Sequence, residues 1–269
     1  MSDFDAHERA LWSGRAETYA ATFGRICAGA APALLDAAVV TAGTRMLDVG
    51  TGPGTVGRLA LARGAAVHAV DAEPSMVALA RNVLPDVRPG LLPDLPFPDD
   101  AFDAAVANFV VNHVGDPVAA IRGMARVVRP GGRVAVTVWP AVNPATGVFA
   151  KAFEIAGVEG GAPRVDADQD FPRTTDGLAS VLERSGLVDV DTGVPEWQHR
   201  VDPDVWWSGP AGGIGGTGWV LTRQDEATVG RIRAAYDALV VRDDDGLMTL
   251  SATAVLAWGT VDGAHPAKK

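Results

Sequence analysis

The segment that most constrains this chain is Met46-Leu-Asp-Val-Gly-Thr-Gly-Pro-Gly54. Its apolar start, within the run from Arg45 to Val49, predicts a buried strand, and its glycines predict a tight turn. Thr55 to Arg63 then carries apolar residues at helical spacing, and Gly64 predicts the end of that helix. A strand, a glycine turn and a helix start favour a nucleotide-like ligand, because glycines let the backbone approach closely and free amides attract negative groups.

Strands and helices alternate through the middle of the chain. Ala65 to Val70 predicts the next strand and is followed by a helical pattern. Phe102 to Val111 is the strongest buried strand, and Asp116-Pro117 predicts the start of another helix. Arg129-Pro-Gly-Gly132 then predicts a turn into a strand from Arg133 to Trp139. This rhythm predicts an α/β fold with a doubly wound, parallel sheet.

After Trp139 the alternation is less regular. Val188 to Val201 predicts one long strand, and Leu247 to Val261 predicts another. Between them, Thr222-x-x-Asp225 resembles a capping box and predicts a helix that runs to about Val241. The glycine-rich run from Gly209 to Gly218 lacks the Lys-Ser/Thr of a phosphate loop, so it predicts a flexible lid or connector.

The formal net charge of −10 over 269 residues argues against nucleic acid as the main partner, because a phosphate backbone demands a dense basic surface. The single cysteine, Cys27, allows no disulfide within the chain and fits a reducing compartment. The chain predicts no signal peptide, and no stretch approaches the roughly 20 apolar residues that span a bilayer. We therefore expect a cytoplasmic protein that acts on a small molecule, without a membrane partner. A homodimer is compatible with the sequence, which does not fix the oligomeric state.

The glycine pattern alone leaves two ligands open. Gly52-x-Gly54-x-x-Gly57 matches the dinucleotide fingerprint, and Asp71 lies near the spacing of about 20 residues that a dehydrogenase requires. Against that interpretation, Asp48 sits at the end of the first strand, two residues before Gly50, where a carboxylate suits an ammonium and a sulfonium better than a pyrophosphate. Two further segments follow in order, Leu95-Pro-Phe-Pro-Asp-Asp-Ala-Phe-Asp103 and Met124-Ala-Arg-Val-Val-Arg-Pro-Gly-Gly-Arg-Val134.

Taken in order, these features resemble the class I S-adenosylmethionine-dependent methyltransferase family, in particular its small-molecule branch. The resemblance covers roughly residues 9–139 and returns for Leu178 to Val190. It implies a single domain with a doubly wound, mostly parallel seven-stranded sheet, a Rossmann-like fold. The implied segments are N-terminal lid helices in 1–40, a cofactor-binding half in 41–139, cap insertions in 140–172 and 202–221, and the rest of the sheet in 173–201 and 222–269.

The resemblance also implies S-adenosylmethionine as methyl donor, S-adenosylhomocysteine as product and a small-molecule methyl acceptor. Asp48 and the turn glycines match the positions that surround the methionine part of the cofactor. Asp71 matches the acidic residue that accepts hydrogen bonds from both ribose hydroxyls. Met76 matches an apolar position that packs on adenine, although an unbranched helix residue fits a core equally well. The cofactor-binding residues implied are Tyr19, Asp48, Gly50, Thr51, Gly52, Gly54, Asp71, Ala72, Met76, Leu91, Leu92 and Asn108.

One position departs from the family pattern. The family often has Gly-Asp before Leu-Pro-Phe, and the acid contacts the adenine amino group. Here Leu91 stands at that place, so adenine recognition falls to backbone near Leu91 and Leu92 or to Asp94. Trp12 to Tyr19 resembles the lid helix, in which the Tyr19 hydroxyl would reach the cofactor carboxylate, unless the helix only packs on the core.

His113 is the candidate general base. It follows the strand of Asn108 on the binding side, and histidine titrates in the useful range, although a structural role is also open. Trp139, Trp206 and Trp207 are candidates for the wall of an acceptor pocket, or else packing anchors. No metal is predicted, because methyl transfer needs alignment rather than a Lewis acid and the five histidines lack ligand spacing.

The leading hypothesis is thus methyl transfer to O, N or C of a small metabolite. A non-catalytic scaffold that binds S-adenosylmethionine and an NAD(P)-dependent dehydrogenase remain as alternatives, and the acceptor is open.

Overall fold

A twisted sheet of seven strands forms the centre of the molecule, in a computed structural model that describes residues 3–163 and 165–263. The strands are β1 Arg45–Val49, β2 Ala66–Asp71, β3 Val87–Pro89, β4 Phe102–Asn108, β5 Val128–Val138, β6 Leu187–Gly193, β7 Glu196–Val201, β8 Met248–Thr253 and β9 Val255–Val261. The central sheet has the order β3-β2-β1-β4-β5-β9-β6. Only β9 runs antiparallel to its neighbours β5 and β6, which confirms the mostly parallel, seven-stranded prediction.

Twelve α-helices accompany the strands in the described part of the chain. They are α1 Asp3–Trp12, α2 Ala16–Ala21, α3 Phe23–Cys27, α4 Ala31–Ala37, α5 Thr55–Ala62, α6 Pro74–Ala80, α7 Pro117–Val127, α8 Gly147–Ile155, α9 Thr175–Arg184, α10 Pro203–Ala211, α11 Gly215–Leu221 and α12 Glu226–Leu239. None of the helices of residues 3–163 and 165–263 is both long and apolar enough to cross a membrane. The predicted segment 1–40 begins before the described residues, and the predicted segment 222–269 ends after them.

Each face of the central sheet packs its own layer of helices. Leu47 and Val49 of β1 point into one core, which contains Ile121 of α7 and Leu178 of α9. Met46 points into the opposite core, which contains Leu34 of α4, Val56 and Ala60 of α5, and Val77 of α6. Successive strand residues point to opposite faces, so this alternation shows that the sheet is doubly wound.

A second, two-stranded sheet of β7 and β8 stands beside the central one. The predicted single strand from Val188 to Val201 is wrong, because it divides into β6 of the central sheet and β7 of the second sheet. The prediction for Leu247 to Val261 fails in the same way, at Ala254. The amide of Ala254 donates to the carbonyl of Pro195 at 3.0 Å, so both breaks occur at one place in the fold.

The glycine-rich run from Gly209 to Gly218, predicted as a flexible lid or connector, forms the end of α10, a short turn and the start of α11. A Cβ at Gly209 would lie 2.9 Å from Cε2 of Phe23, and one at Gly218 would lie 2.3 Å from the carbonyl carbon of Gly213. Glycine therefore serves close packing here. The next helix, α12, also begins later than the capping box predicted, because Asp225 rather than Thr222 accepts the first free amide, from Thr228 at 2.7 Å.

Two local predictions in the central sheet need correction. Phe102 to Val111 was predicted as one strand, but β4 ends at Asn108 because Phe109 adopts a left-handed φ of 59°. The segment from Arg129 to Gly132 lies outside the pairing of β5 with β4. Phe102 pairs with Val128, and the next pair is Ala104 with Arg133. The predicted turn is thus an irregularity inside β5, which begins at Val128, and does not precede the strand.

The amino-terminal edge of the sheet is held by one carboxylate. Asp103 accepts hydrogen bonds from the backbone amide of Arg45 at 2.9 Å and from its guanidinium at 3.0 Å, and Arg129 donates at 2.7 Å. The hydrogen bonds from Arg45, followed by those from Arg129, hold the pKa of Asp103 well below its usual value. Because the folded-state pKa lies below the unfolded one, this stabilisation is present above about pH 4 and is lost as the pH falls.

We expect Asp103→Asn to lower the free energy of unfolding by about 1 kcal/mol at pH 7, a modest value because both arginines are exposed. The difference between variant and wild type should shrink at pH 3, where the wild-type carboxylate loses its advantage. Urea titrations at the two pH values measure both numbers. The same difference at pH 3 and pH 7 would contradict the assignment.

Candidate functional site

A cavity of about 790 Å³ opens at the carboxyl ends of β1, β2 and β4. The chain leaves β1 towards β2 on one side of the sheet and returns at β4 on the other, so the cavity lies at the topological switch point, where α/β proteins bind ligands. Its size falls within the range of about 300–1,000 Å³ of small-molecule sites. The sequence-predicted residues that line it are Tyr19, Gly50, Gly52, Asp71, Ala72, Met76, Leu91, Leu92, Asn108 and His113.

The floor of the cavity is bare backbone. Gly50 and Gly52 line it with φ of 65° and 54°, values that favour glycine. A Cβ at Gly50 would lie 2.5 Å from Cγ2 of Val110, in the segment that follows β4. Only glycine allows the two strand ends to approach this closely, and a ligand meets main chain instead of side chains.

Asp48 supports the turn from below and does not line the cavity. Its side chain is buried, and Oδ2 accepts hydrogen bonds from Oγ1 of Thr51 at 2.7 Å and from the amide of Gly57 at 3.0 Å. Burial raises the pKa of Asp48 to about 6, and the nearby charge of Asp71 acts in the same direction. The structure thus places this carboxylate under the turn and the start of α5, not against a ligand as the resemblance implied.

Two other implied residues also lie away from the main cavity. Thr51 lines a small adjoining pocket of about 30 Å³ beside Tyr19. Gly54 precedes α5 with φ of 84°, and a Cβ there would lie 2.8 Å from Cγ2 of Val83. Gly54 therefore serves the packing of the turn.

Asp71 joins the end of β2 to the glycine turn and borders the cavity. Its Oδ2 accepts from the amide of Gly52 at 2.8 Å, and its Oδ1 accepts from the amide of Glu73 at 2.9 Å. Burial raises the pKa of Asp71, while these hydrogen bonds oppose the shift. Each carboxylate oxygen has two lone pairs, so both oxygens keep capacity for a ligand hydroxyl.

Glu73 fastens the N-terminal helices to this edge of the cavity. It caps α6 by accepting from the amide of Met76 at 2.9 Å, and it accepts from the amide of Gly14 at 3.2 Å. Burial acts to raise the pKa of Glu73, but hydrogen bonds from Ser75, Met76 and Gly14 outweigh it and lower the pKa. The link through Gly14 connects α6 to the turn between α1 and α2.

The end of the cavity beyond Asp71 is mostly apolar. Met76 is buried and also lines the cavity, so the core and ligand interpretations are compatible. Leu91 is 44% exposed, the most open apolar side chain of this wall, and Leu92 and Asp94 stand beside it. The two alternatives left open for adenine recognition, the backbone near Leu91 and Leu92 or Asp94, thus border the same space.

Asn108 and Tyr19 connect the cavity to the N-terminal helices. Nδ2 of Asn108 donates to the carbonyl of Cys27 at 3.0 Å, and its Oδ1 accepts from Oγ1 of Thr137 at 2.7 Å. The Tyr19 ring meets Trp12 edge-on, with centroids 5.4 Å apart. Burial raises the pKa of Tyr19 well above its usual value, and the hydrogen-bonded Cys27 and the nearby Asp71 add to the shift.

His113 lies under α1, in a contact that the sequence did not predict. Its Nδ1 is 2.8 Å from Oε2 of Glu8, and Nε1 of Trp12 donates to the same oxygen at 3.0 Å. Burial acts to raise the pKa of Glu8, but the charge and the hydrogen bond of His113 outweigh it and lower the pKa. Farther along the loop, the amide of Gly115 donates to Oδ1 of Asp5 at 2.7 Å.

The spacing of Asp5, Glu8 and Trp12 is the signal that sequence reasoning left unused. Residues three and four apart share a helix face, so these side chains point the same way from α1. The face meets the residues from His113 to Asp116, which also line the cavity. Asp166 and Gln169, within the predicted cap insertion 140–172, complete the rim.

The three tryptophans proposed for the acceptor pocket do not line the cavity. Trp206 is fully buried, with its ring 4.5 Å from that of Phe23, and Trp207 lies 5.2 Å from Tyr236. Trp139 stacks on Phe109 at 4.1 Å, behind the cavity wall. The predicted place of these tryptophans at the acceptor pocket is therefore corrected. Trp206 and Trp207 belong instead to the core that packs against the second sheet.

Comparison with known proteins finds matches over the middle of the chain. Residues 47–136 match the model of a family described as a methyltransferase domain. Over 104 residues the chain is 39% identical to the demethylmenaquinone methyltransferase of Tropheryma whipplei (strain Twist), which covers 36% of this chain and 42% of that protein. Over 100 residues it is 38% identical to the ubiquinone biosynthesis O-methyltransferase of Xanthomonas oryzae pv. oryzae (strain PXO99A), which covers 35% and 42%.

These matches span less than half of the length of the curated relatives. In structure, the chain is similar in fold to the YcgJ protein of Bacillus subtilis, with a TM-score of 0.54 and 20% identity over 87% of this chain and 99% of that one.

The buried charge of Asp48 yields a prediction for stability. Its folded-state pKa of about 6 lies above the unfolded value of about 3.9, so this group costs stability as the pH rises through that window. Asp48→Asn keeps an oxygen that can accept both hydrogen bonds and removes the charge. Between pH 4 and pH 7 the free energy of unfolding of the wild type should fall by about 2 kcal/mol relative to this variant.

Urea titrations at the two pH values measure this difference. Asp48→Ala is the contrasting variant: it removes the acceptor and should be destabilised by about 1–3 kcal/mol even at pH 4. Parallel pH dependence of the wild type and Asp48→Asn would refute the prediction.

Proposed function

We propose that this chain, whose residues 47–136 match a methyltransferase domain, is a class I S-adenosylmethionine-dependent methyltransferase that transfers a methyl group to a small-molecule acceptor. The observation that carries the proposal is the cavity of about 790 Å³ at the switch point, which brings the bare glycine turn, Asp71 and His113 to one space. When bound, S-adenosylmethionine supplies an electrophilic methyl group on a positively charged sulfur.

The residues present fit that cofactor. The backbone at Gly50 and Gly52 forms a cradle, since a Cβ at Gly52 would project to within 3.4 Å of Cε1 of Tyr19. Asp71 holds two carboxylate oxygens at the cavity with lone pairs to spare, a suitable acceptor for a pair of ribose hydroxyls. The apolar side chains of Met76 and Leu91 offer surfaces for a flat base.

The charge of the cavity supports a cationic cofactor over a dinucleotide. Among its described lining residues the acidic ones are Asp5, Glu8, Asp71, Glu73, Asp94, Asp116 and Asp166, and the arginine is Arg9. A surface of one sign focuses a field that attracts the opposite charge. S-adenosylmethionine carries a sulfonium and an ammonium, whereas a dinucleotide brings an anionic pyrophosphate to the same turn.

We assign the roles as follows. Gly50, Gly52 and Tyr19 hold the methionine part, Asp71 and Ala72 hold the ribose, and Asn108 fixes the strand end beneath. Met76, Leu91 and Leu92 enclose the adenine. Asp48, Thr51 and Gly54 act on the cofactor indirectly, by shaping the turn. His113 takes the acceptor proton, because its imidazole lines this wall and a positioned imidazole can serve as a general base.

The acceptor faces an apolar wall on the side of α1 and the β4 loop. Trp12, Phe109, Val110 and Val114 line this part of the cavity. The two curated relatives are named for demethylmenaquinone and for ubiquinone biosynthesis. We therefore propose an acceptor with an apolar, ring-containing body and a hydroxyl or amine to methylate.

Cofactor binding is tested by calorimetry with S-adenosylhomocysteine and, separately, with NAD. We expect S-adenosylhomocysteine to bind and NAD not to bind. Asp71→Ala should weaken binding of S-adenosylhomocysteine by about 10–100-fold, because hydrogen bonds to a charged group contribute about 1.5–3 kcal/mol. Asp36→Asn, an exposed carboxylate away from the cavity, is the control for charge and should bind as the wild type does. Preferential binding of NAD would overturn the proposal.

Turnover is tested with S-adenosylmethionine that carries a deuterated methyl group and a panel of hydroquinones, phenols and aryl amines, read by mass spectrometry. His113→Ala should lower kcat by about 100-fold or more, since a positioned base contributes about 10²–10⁴-fold, while binding of S-adenosylhomocysteine changes little. A wild-type protein that binds S-adenosylhomocysteine but labels no acceptor would favour the scaffold alternative. A His113→Ala variant with wild-type kcat would remove this residue from the mechanism.

A further inference from the structure

We propose that Glu8 is a positioning residue for His113, so that proton removal from the acceptor requires α1 to be closed over the cavity. The inference rests on the proposed function, because it assigns to His113 the role of base. It adds a residue from the N-terminal helix, 105 positions away in sequence, to the machinery of the β4 loop.

The carboxylate of Glu8 determines which nitrogen of His113 carries a proton. An ionised carboxylate only accepts hydrogen bonds, so Nδ1, at 2.8 Å from Oε2, must be the donor. In the neutral imidazole, Nε2 then has the free lone pair and is the atom that can take a proton. Without an acceptor at Nδ1 the two tautomers compete, and part of the population presents a protonated Nε2.

Trp12 holds the carboxylate in place. Its indole N–H is a donor only, and it donates to the same Oε2 at 3.0 Å. The Trp12 ring also meets the His113 ring edge-on, with centroids 5.2 Å apart. Glu8 is only 9% exposed, so its neighbours restrict its rotamer, unlike that of a glutamate on an open surface.

The ion pair also suits the charge that forms during the reaction. The lowered pKa of Glu8 keeps the carboxylate ionised, and it can compensate an imidazolium on His113. The other charged or titratable groups around this pair are His7, Asp5 and Arg9 on α1 and Asp116 on the loop. Of these, His7 adds to the lowering of the Glu8 pKa, and Asp116 caps α7 through the amide of Ala119 at 2.8 Å.

Closure of α1 is fastened on both sides of the pair. On one side, Asp5 accepts from the amide of Gly115 at 2.7 Å. On the other, Gly14 donates to Glu73 at 3.2 Å, across the edge of the cavity that carries Asp71. An opening of α1 that admits a ligand breaks these contacts and withdraws Glu8 from His113 at the same time. The base is thus correctly oriented only when α1 is docked on the loop that follows β4.

Methyl transfer to the acceptor would be an in-line displacement. A lone pair of the acceptor oxygen or nitrogen forms the new bond to the methyl carbon, and the carbon–sulfur bond breaks with its electron pair going to sulfur. The acceptor proton passes to Nε2 of His113. The resulting imidazolium remains paired with the Glu8 carboxylate until the proton leaves to solvent.

The test compares Glu8→Gln with the wild type. Glutamine keeps the size of the side chain, but its amide can donate to Nδ1 and so favours the opposite tautomer, with the proton on Nε2. Nitrogen-15 NMR of the labelled histidines, assigned with His113→Gln, should show Nδ1–H in the wild type and a shift towards Nε2–H in Glu8→Gln. This readout needs neither cofactor nor acceptor.

Kinetics supply the second readout. Glu8→Gln should lower kcat by about 100-fold, while the Kd of S-adenosylhomocysteine stays within about threefold of the wild-type value. Glu8→Asp, which restores a carboxylate on a shorter side chain, should recover part of kcat. Glu17→Gln, on the exposed side of α2, removes the same charge and should match the wild type.

Three results would overturn the inference. The first is an unchanged His113 tautomer in Glu8→Gln, and the second is wild-type kcat in that variant. The third is a loss of cofactor affinity that parallels the loss of kcat, which indicates a purely structural helix contact. If the wild type methylates no acceptor, the proposed function fails, and the NMR comparison alone then decides whether Glu8 sets the tautomer.

Discussion

The carboxylate of Asp48 has no access to solvent, yet the site depends on where it points. By accepting from Thr51 and Gly57 it holds the glycine turn against the start of α5. That turn in turn places Gly50 under Val110 and presents the amide of Gly52 to Asp71. One buried acceptor therefore connects the ends of β1, β2 and β4, and the cavity exists because those ends converge.

The cavity beside this buried aspartate is itself lined by several acidic side chains, and this explains several of its features. Backbone amides donate to Asp71 and Glu73 and oppose the effect of burial on their pKa, and His113 and Trp12 do the same for Glu8. These hydrogen bonds lower the cost of keeping negative charge in a partly dry space. A site that is built to hold several carboxylates suits a cationic ligand and disfavours an anionic one.

Local patterns located several elements in the first half of the fold. The strand Arg45–Val49 and the helix start after Asp116 lie where the sequence predicted them, since a buried apolar run and a capping aspartate act on nearest neighbours. The break between β6 and β7 was missed, because alternation continues on both sides of it and periodicity carries no information about which sheet a strand joins. Glu8 was missed for a related reason. A glutamate on a polar helix looks solvated until a partner 105 residues away is brought to it.

The hydrogen bond from Ala254 to Pro195 has a mechanical consequence. At this point two separate chain segments pass from the central sheet to the β7–β8 sheet side by side, each over a few residues. A single connection acts as a swivel, whereas two parallel connections that are tied together resist rotation. The β7–β8 sheet is therefore held in a fixed orientation relative to the central sheet and does not move as a separate unit. Access to the cavity falls to α1, whose departure breaks hydrogen bonds and the ring contact of Trp12 with His113 but requires no strand to leave its sheet.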